Sequence, residues 1–180
     1  MATTPAGRIW FGIAALAGTL HALASLYWGL GGTWLLDTVG RDLVSTLRDS
    51  LWVLLLVGVV KLLAAWLPWS AQDWPGPSQR AVRGVSWAGS VVLVAWGGIN
   101  TVTANLVLAG LIMPDSDYDR TGMIGHAWLW DPLFLLWGAA LITALLRSRT
   151  LPHRLHRRPR PTPPGENTQS DMKRRRPHSR

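Results

Sequence analysis

The sequence predicts an all-α polytopic membrane protein: a bundle of four transmembrane helices followed by a disordered basic tail. Three observations lead there. Four stretches are each long and apolar enough to cross a bilayer, whose hydrocarbon core of about 30 Å needs roughly 20 helical residues. Runs such as LWVLLLVGVV lack the strict alternation of barrel strands, and in lipid a helix satisfies its own backbone polar groups. Trp supplies 12 residues against two each of Phe and Tyr. Many fall near the predicted span ends (Trp10, Trp28, Trp34, Trp52, Trp66, Trp69, Trp87 and Trp128), where an indole ring meets acyl chain and its N–H meets water.

After a short N-terminus, residues 1–8, the spans read as Ile9 to Leu30, Leu51 to Trp69, Val85 to Met113 and Ile124 to Leu146. The third is longer than a crossing needs and either tilts or protrudes. With both termini in the cytoplasm of a bacterial cell and the spans in its inner membrane, Arg8, Arg80, Arg83 and the tail from Arg147 lie inside, leaving Arg41, Arg48 and Arg120 outside. That is the positive-inside bias. The loops Gly31 to Ser50 and Pro114 to Gly122 then face outward, the second with Asp115, Asp117 and Asp119. An alternative reads Arg8, the apolar run and Ala22-Leu23-Ala24 as a cleaved secretory signal, against which stand a single basic residue and apolar sequence continuing through Leu30. There is no cysteine, so disulfides, thiolate metal sites and thiol catalysis are excluded.

Residues 147–180 are a separate object. They hold 11 Lys or Arg against two acidic residues, a net of +9, whereas the preceding part has 7 against 8. Six of the 12 prolines and no aromatic ring of the Phe, Trp or Tyr type lie here, too little apolar surface to offset the entropy of ordering. The tail is expected to be a solvated cytoplasmic extension that fixes topology. A sharper role is adhesion to anionic lipid head groups, at about 1 kcal/mol per basic residue near the surface. Nucleic acid is an unlikely partner: RRPRP and KRRRPHSR carry charge without aromatic interleaving or a folded module.

Polar side chains inside the spans are where function would reside. At 1.5 Å per residue, His21 lies about 14 Å below Leu30, Lys61 about 15 Å below Leu51 and Asn100 about 16 Å below Leu111. Asp131 lies roughly 10 Å below Ile124, with Asn105 at a similar level. A lysine at a helix centre costs about 2.5 to 3.5 kcal/mol on insertion scales unless it snorkels. Because side chains lean toward the helix N-terminus, Lys61 points away from the nearer surface. It therefore calls for a carboxylate, and Asp131 is the acidic side chain inside a span. Coupling of the two, directly or through water or His21, is the expectation.

Each residue also has a structural reading. His21 makes a neutral helix contact, and Asn100, Thr101, Thr103 and Asn105 act as interhelical glue beside Gly97 and Gly98, which admit close packing. Asp131-Pro132 reads as an N-cap and first helical residue, or as a bend in a continuous helix.

The segments HALASLYWGLGGTW and LDTVG, the Lys61 span ending AWLP, and HAWLWDPLFLLWG resemble the uncharacterised bacterial membrane-protein family known as domain of unknown function 3995. The resemblance covers roughly Gly7 to Arg147. It implies a four-helix integral membrane protein and brings no established activity or substrate. It also places His21, Tyr27, Trp28, Gly31, Gly32, His126, Trp130, Asp131 and Pro132 inside motif-like segments, as candidates without an assigned role.

No cofactor or metal is implied. His21 and His126 differ in depth, which speaks against a bis-histidine haem, and neither has a second ligand at i+3 or i+4. There is no Walker A loop, dinucleotide fingerprint or GxSxG elbow. Ser25 stands one turn beyond His21, an arrangement common in packed bundles. Three functions survive. The first expectation is a structural or accessory membrane protein acting as a homo-oligomer or with a membrane-protein partner. The alternative is a binding or transport protein with an outward-facing polar pocket. An intramembrane enzyme ranks third, since nothing carries a reaction-specific signature.

Overall fold

The structure, a computed structural model, describes residues 5–47, 50–113 and 118–148. They are all-α, with no strand among them. Four helical rods are long and apolar enough to cross a membrane. The first is α1, Pro5–Gly29. A 3-10 turn at Leu36–Val39 and the short α2, Arg41–Leu47, lead to α3, Trp52–Ser70, which ends in a 3-10 turn at Ala71–Asp73. The long α4 is Gly76–Leu108. The last rod, Arg120–Arg147, joins α5 (Arg120–Gly125), a π turn at His126–Trp130 and α6 (Asp131–Arg147) without a break.

Helix ends follow local chemistry. At the end of α1, Gly31 N donates to Trp28 O and Gly32 N to Tyr27 O, with Gly31 at φ 91°. This is a Schellman cap, which needs a left-handed residue that glycine adopts without strain. The same pattern closes α4: Gly110 N donates to Val107 O and Leu111 N to Leu106 O, with Gly110 at φ 71°. So the third rod stops at Leu108, short of the predicted Met113, and begins at Gly76, well before Val85. Pro77 suits its first turn because a first-turn N–H has no intrahelical partner. At 33 residues it is about 50 Å long.

The rods pack in the order α3, α1, α6, α4, and the sequence neighbours α3 and α4 touch little. Small residues permit the close approaches. A Cβ on Gly18 would lie 2.7 Å from both Ala65 and Trp137, and one on Gly97 would lie 2.5 Å from the Asp131 carbonyl. Gly97 thus packs as expected, while Gly98 is in looser contact with Leu135. The apolar core centres on Phe11, Ala14, Ala65, Trp137, Leu141 and Leu145. Branched aliphatic side chains such as Leu16, Leu56, Val92 and Ile99 point outward, as lipid-facing side chains do.

Both ends of the described chain lie together. The Arg147 guanidinium sits 5.6 Å over the Trp10 ring, and Arg83 donates to Ser148 Oγ (2.7 Å) and to Leu145 O. The α2 segment and α5 occupy the opposite end. Trp34, Trp52 and Trp128 are exposed, in keeping with an interfacial belt, but Trp28 is only 5% exposed and belongs to the interior. Its N–H donates to Trp34 O at 2.9 Å, a partner found within the fold rather than in water. The basic tail beyond Ser148, with Asp115 and Asp117, lies outside the described residues.

Candidate functional site

Halfway along α1 and α3 the polar side chains meet. Lys61 Nζ donates to Ser25 Oγ at 2.9 Å and lies 3.1 Å from His21 Nδ1. Ser25 is the residue one turn after His21, so both present to α3 from one face of α1. Its hydroxyl reaches back to the His21 carbonyl at 3.4 Å. A charged lysine only donates, so His21 Nδ1 accepts and the ring proton falls on Nε2. That Nε2 is buried and has no hydrogen-bond partner among the described residues. Phe134 of α6 stacks on His21 at 3.8 Å between ring centroids and lies 5.5 Å from the ammonium.

Asp131, 1% exposed, accepts from His126 Nδ1 at 2.7 Å. The π turn explains the pairing: a register closing on i+5 brings residues five apart onto one face. Pro132 explains the π turn's other consequence. In that register residue 132 is the donor to the Ala127 carbonyl, and proline has no N–H. Asn105 of α4 supplies the substitute, its Nδ2 donating to Thr101 O at 2.8 Å and reaching Ala127 O at 3.4 Å. Asp131 is therefore not an N-cap. Its own backbone is helical (φ −77°, ψ −37°), and the rod runs through it.

The direct form of the expected Lys61–Asp131 coupling is absent. Among the described residues no carboxylate lies within 4 Å of Lys61 Nζ, and Asp131 is paired with His126 instead. The physical reason is that other partners are nearer: His126 takes up the Asp131 carboxylate, while Ser25 and His21 meet the ammonium. The two groups nonetheless line one cavity of about 360 Å³, together with His21, Ser25, Trp130 and Phe134. Asn100 stays out of it: the side chain bonds back to Trp96 O at 3.0 Å on the exposed face of α4. Tyr27 is half exposed and packs on Gly32, so Gly31 and Gly32 serve the helix cap rather than the cavity.

The 3-10 turn and α2 roof the cavity through Leu36, Val39, Leu43 and Val44. Trp130 Nε1 donates to Thr38 Oγ1 at 2.9 Å and packs edge-on against Trp28 at 5.0 Å. Gly125 leaves room for the Thr38 backbone, where any Cβ would collide. Asp119 closes the joint: Oδ1 accepts from Gly122 N at 3.0 Å and Oδ2 from Arg41 N at 2.8 Å, satisfying first-turn donors of both α5 and α2. Sequence reasoning missed Phe134, Thr38 and Asp119 as parts of this neighbourhood. Asp119 carried a signal, since Asp is a favoured residue immediately ahead of a helix.

Four apolar helical rods with a polar cluster at mid-length define the class: a multi-pass membrane protein with an internal cavity. The family described as protein of unknown function (DUF3995) matches residues 18–141, and the chain belongs to that family. No curated protein and no solved structure matches it.

Proposed function

We propose that the protein binds a small anionic molecule within the membrane, with Lys61 as the anchoring cation. One observation carries this reading: the ammonium lines a cavity at mid-length without a carboxylate partner, because the candidate counter-ion is taken up by His126. A cation in so apolar a setting is costly, and its neutral partners Ser25 and His21 leave the charge uncompensated. The cavity also falls in the size range of small-molecule pockets, about 300 to 1,000 Å³. His21 and Ser25 then hold the ammonium in place for the anion. Asp131 and His126 satisfy each other, and Asn105 serves the Thr101 and Ala127 carbonyls, which supports a structural role for them.

The expected membrane is the bacterial inner membrane, with the termini in the cytoplasm. Arg8, Arg80, Arg83 and Arg147 belong to the end where the two ends of the described chain meet, and the basic tail follows Arg147 in sequence, in keeping with the positive-inside rule. The cavity roof would then face outward. Adhesion of the tail to anionic head groups is a proposal on charge alone.

Lys61→Met tests the anchor. Losing the ammonium removes its desolvation cost and leaves Ser25 Oγ and His21 Nδ1 without their donor, two opposing effects, so the variant should stay folded in neutral detergent while losing anion binding. A fall in both protein level and midpoint would instead support the structural or accessory role.

A further inference from the structure

A second cavity of about 460 Å³ lies between α3 and α4, nearer the end where the chain termini meet. It shares two wall residues with the first, Lys61 and Phe134. Apart from Lys61, its polar side chains are Ser86, whose hydroxyl is used on Val82 O at 2.7 Å, and Trp137, whose ring forms part of the floor. Val60, Val85 and Val92 line it yet are 55%, 73% and 63% exposed, so it opens sideways onto the lipid-facing surface. The opening exists because α3 and α4 touch little. Gly89 widens it: a Cβ there would meet nothing within 4 Å.

From this geometry we infer that the ligand is a single-chain anionic amphiphile, its head group against Lys61, His21 and Ser25 and its chain in the groove between α3 and α4. The inference rests on the anion-binding reading above and adds the chain. Charge and shape both argue for it. Apolar lining removes water from around an alkyl chain, at roughly 25 cal/mol per Å² buried, while the Lys61 ammonium in the shared wall is complementary to a phosphate or carboxylate. Lateral entry lets the chain stay in an apolar medium throughout. A cationic or neutral head would leave Lys61 as it is, without a counter-charge. A free inorganic anion would leave the groove to bulk lipid.

Full-length protein in a nonionic maltoside detergent, titrated and read by native mass spectrometry, separates these cases. One dodecyl phosphate or dodecanoate per chain should be retained at least tenfold more tightly than dodecanol or dodecyltrimethylammonium, and inorganic phosphate should bind at least tenfold more weakly than dodecyl phosphate. Lys61→Met should reduce dodecyl phosphate to the level of dodecanol. Gly89→Phe fills the groove without touching Lys61, and should weaken dodecyl phosphate at least tenfold. Gly89→Leu makes the same test with a smaller side chain if the larger one disturbs the gel-filtration profile. Unchanged binding in the groove variants, or inorganic phosphate binding as tightly as dodecyl phosphate, overturns the amphiphile and leaves the anion reading standing. Retention of no anion by the wild type, or indifference to Lys61→Met, overturns both.

Discussion

At the scale of single residues, the informative side chains are those whose partners differ from the ones their chemistry first suggests. Lys61 takes a hydroxyl and an imidazole in place of a carboxylate, and Asp131 takes a histidine five residues away. Depth in the membrane brought His21 and Lys61 to one level by helical rise alone, and they do meet. Asp119 yields a prediction that is independent of the cavity. The Gly122 N–H above all, and the Arg41 N–H with the Arg41 charge, hold its carboxyl below the usual carboxylate value, with partial desolvation opposing them. A folded-state value below the unfolded one means stability that is fully present above the unfolded pKa and is lost as pH falls through the folded one. Asp119→Ala should therefore lower the thermal midpoint at pH 7. The gap between variant and wild type should narrow as the pH is taken below about 4, and a gap that stays constant across that range would contradict the assignment.

At the scale of elements, the π turn at His126–Trp130 decides where the last rod points its polar groups. Pro132 withholds the N–H that the Ala127 carbonyl requires, and Asn105 makes up for it from the neighbouring helix. Leaving a buried carbonyl without a donor costs roughly 1 to 3 kcal/mol, so Asn105→Leu should destabilise by about that amount in thermal or denaturant unfolding. Pro132→Ala restores a donor at residue 132. In that background Asn105→Leu should cost less than half as much, a coupling that a double-mutant cycle measures directly. Additive effects would show that the asparagine acts elsewhere. The Asp-Pro pair was legible as a local irregularity; that it produces a register change rather than a helix start depends on Asn105 being within reach.

At the scale of the whole molecule, the packing order α3, α1, α6, α4 leaves α3 and α4 apart, and the lateral groove follows from that topology rather than from any one residue. The same order brings both ends of the described chain to one side. Reporter fusions at residue 1 and after residue 180 should both be active in the cytoplasm. Because the chain has no cysteine, a single Ser45→Cys substitution in α2 gives a clean complementary probe, expected to react with a membrane-impermeant maleimide from outside intact cells. Labelling only after lysis would reverse the orientation.

Contiguous sequence was enough for the all-helical class, the four apolar rods and the shared depth of His21 and Lys61. These depend on composition, rise per residue and local backbone conformation, all of which are properties of contiguous residues. Tertiary structure alone decided which carboxylate faces which cation, how Thr38 and Asp119 pin the roof, and that a groove opens beside Lys61. Those outcomes depend on the rotation of each rod about its axis and on which rods become neighbours, and both are set by contacts between residues far apart in the chain.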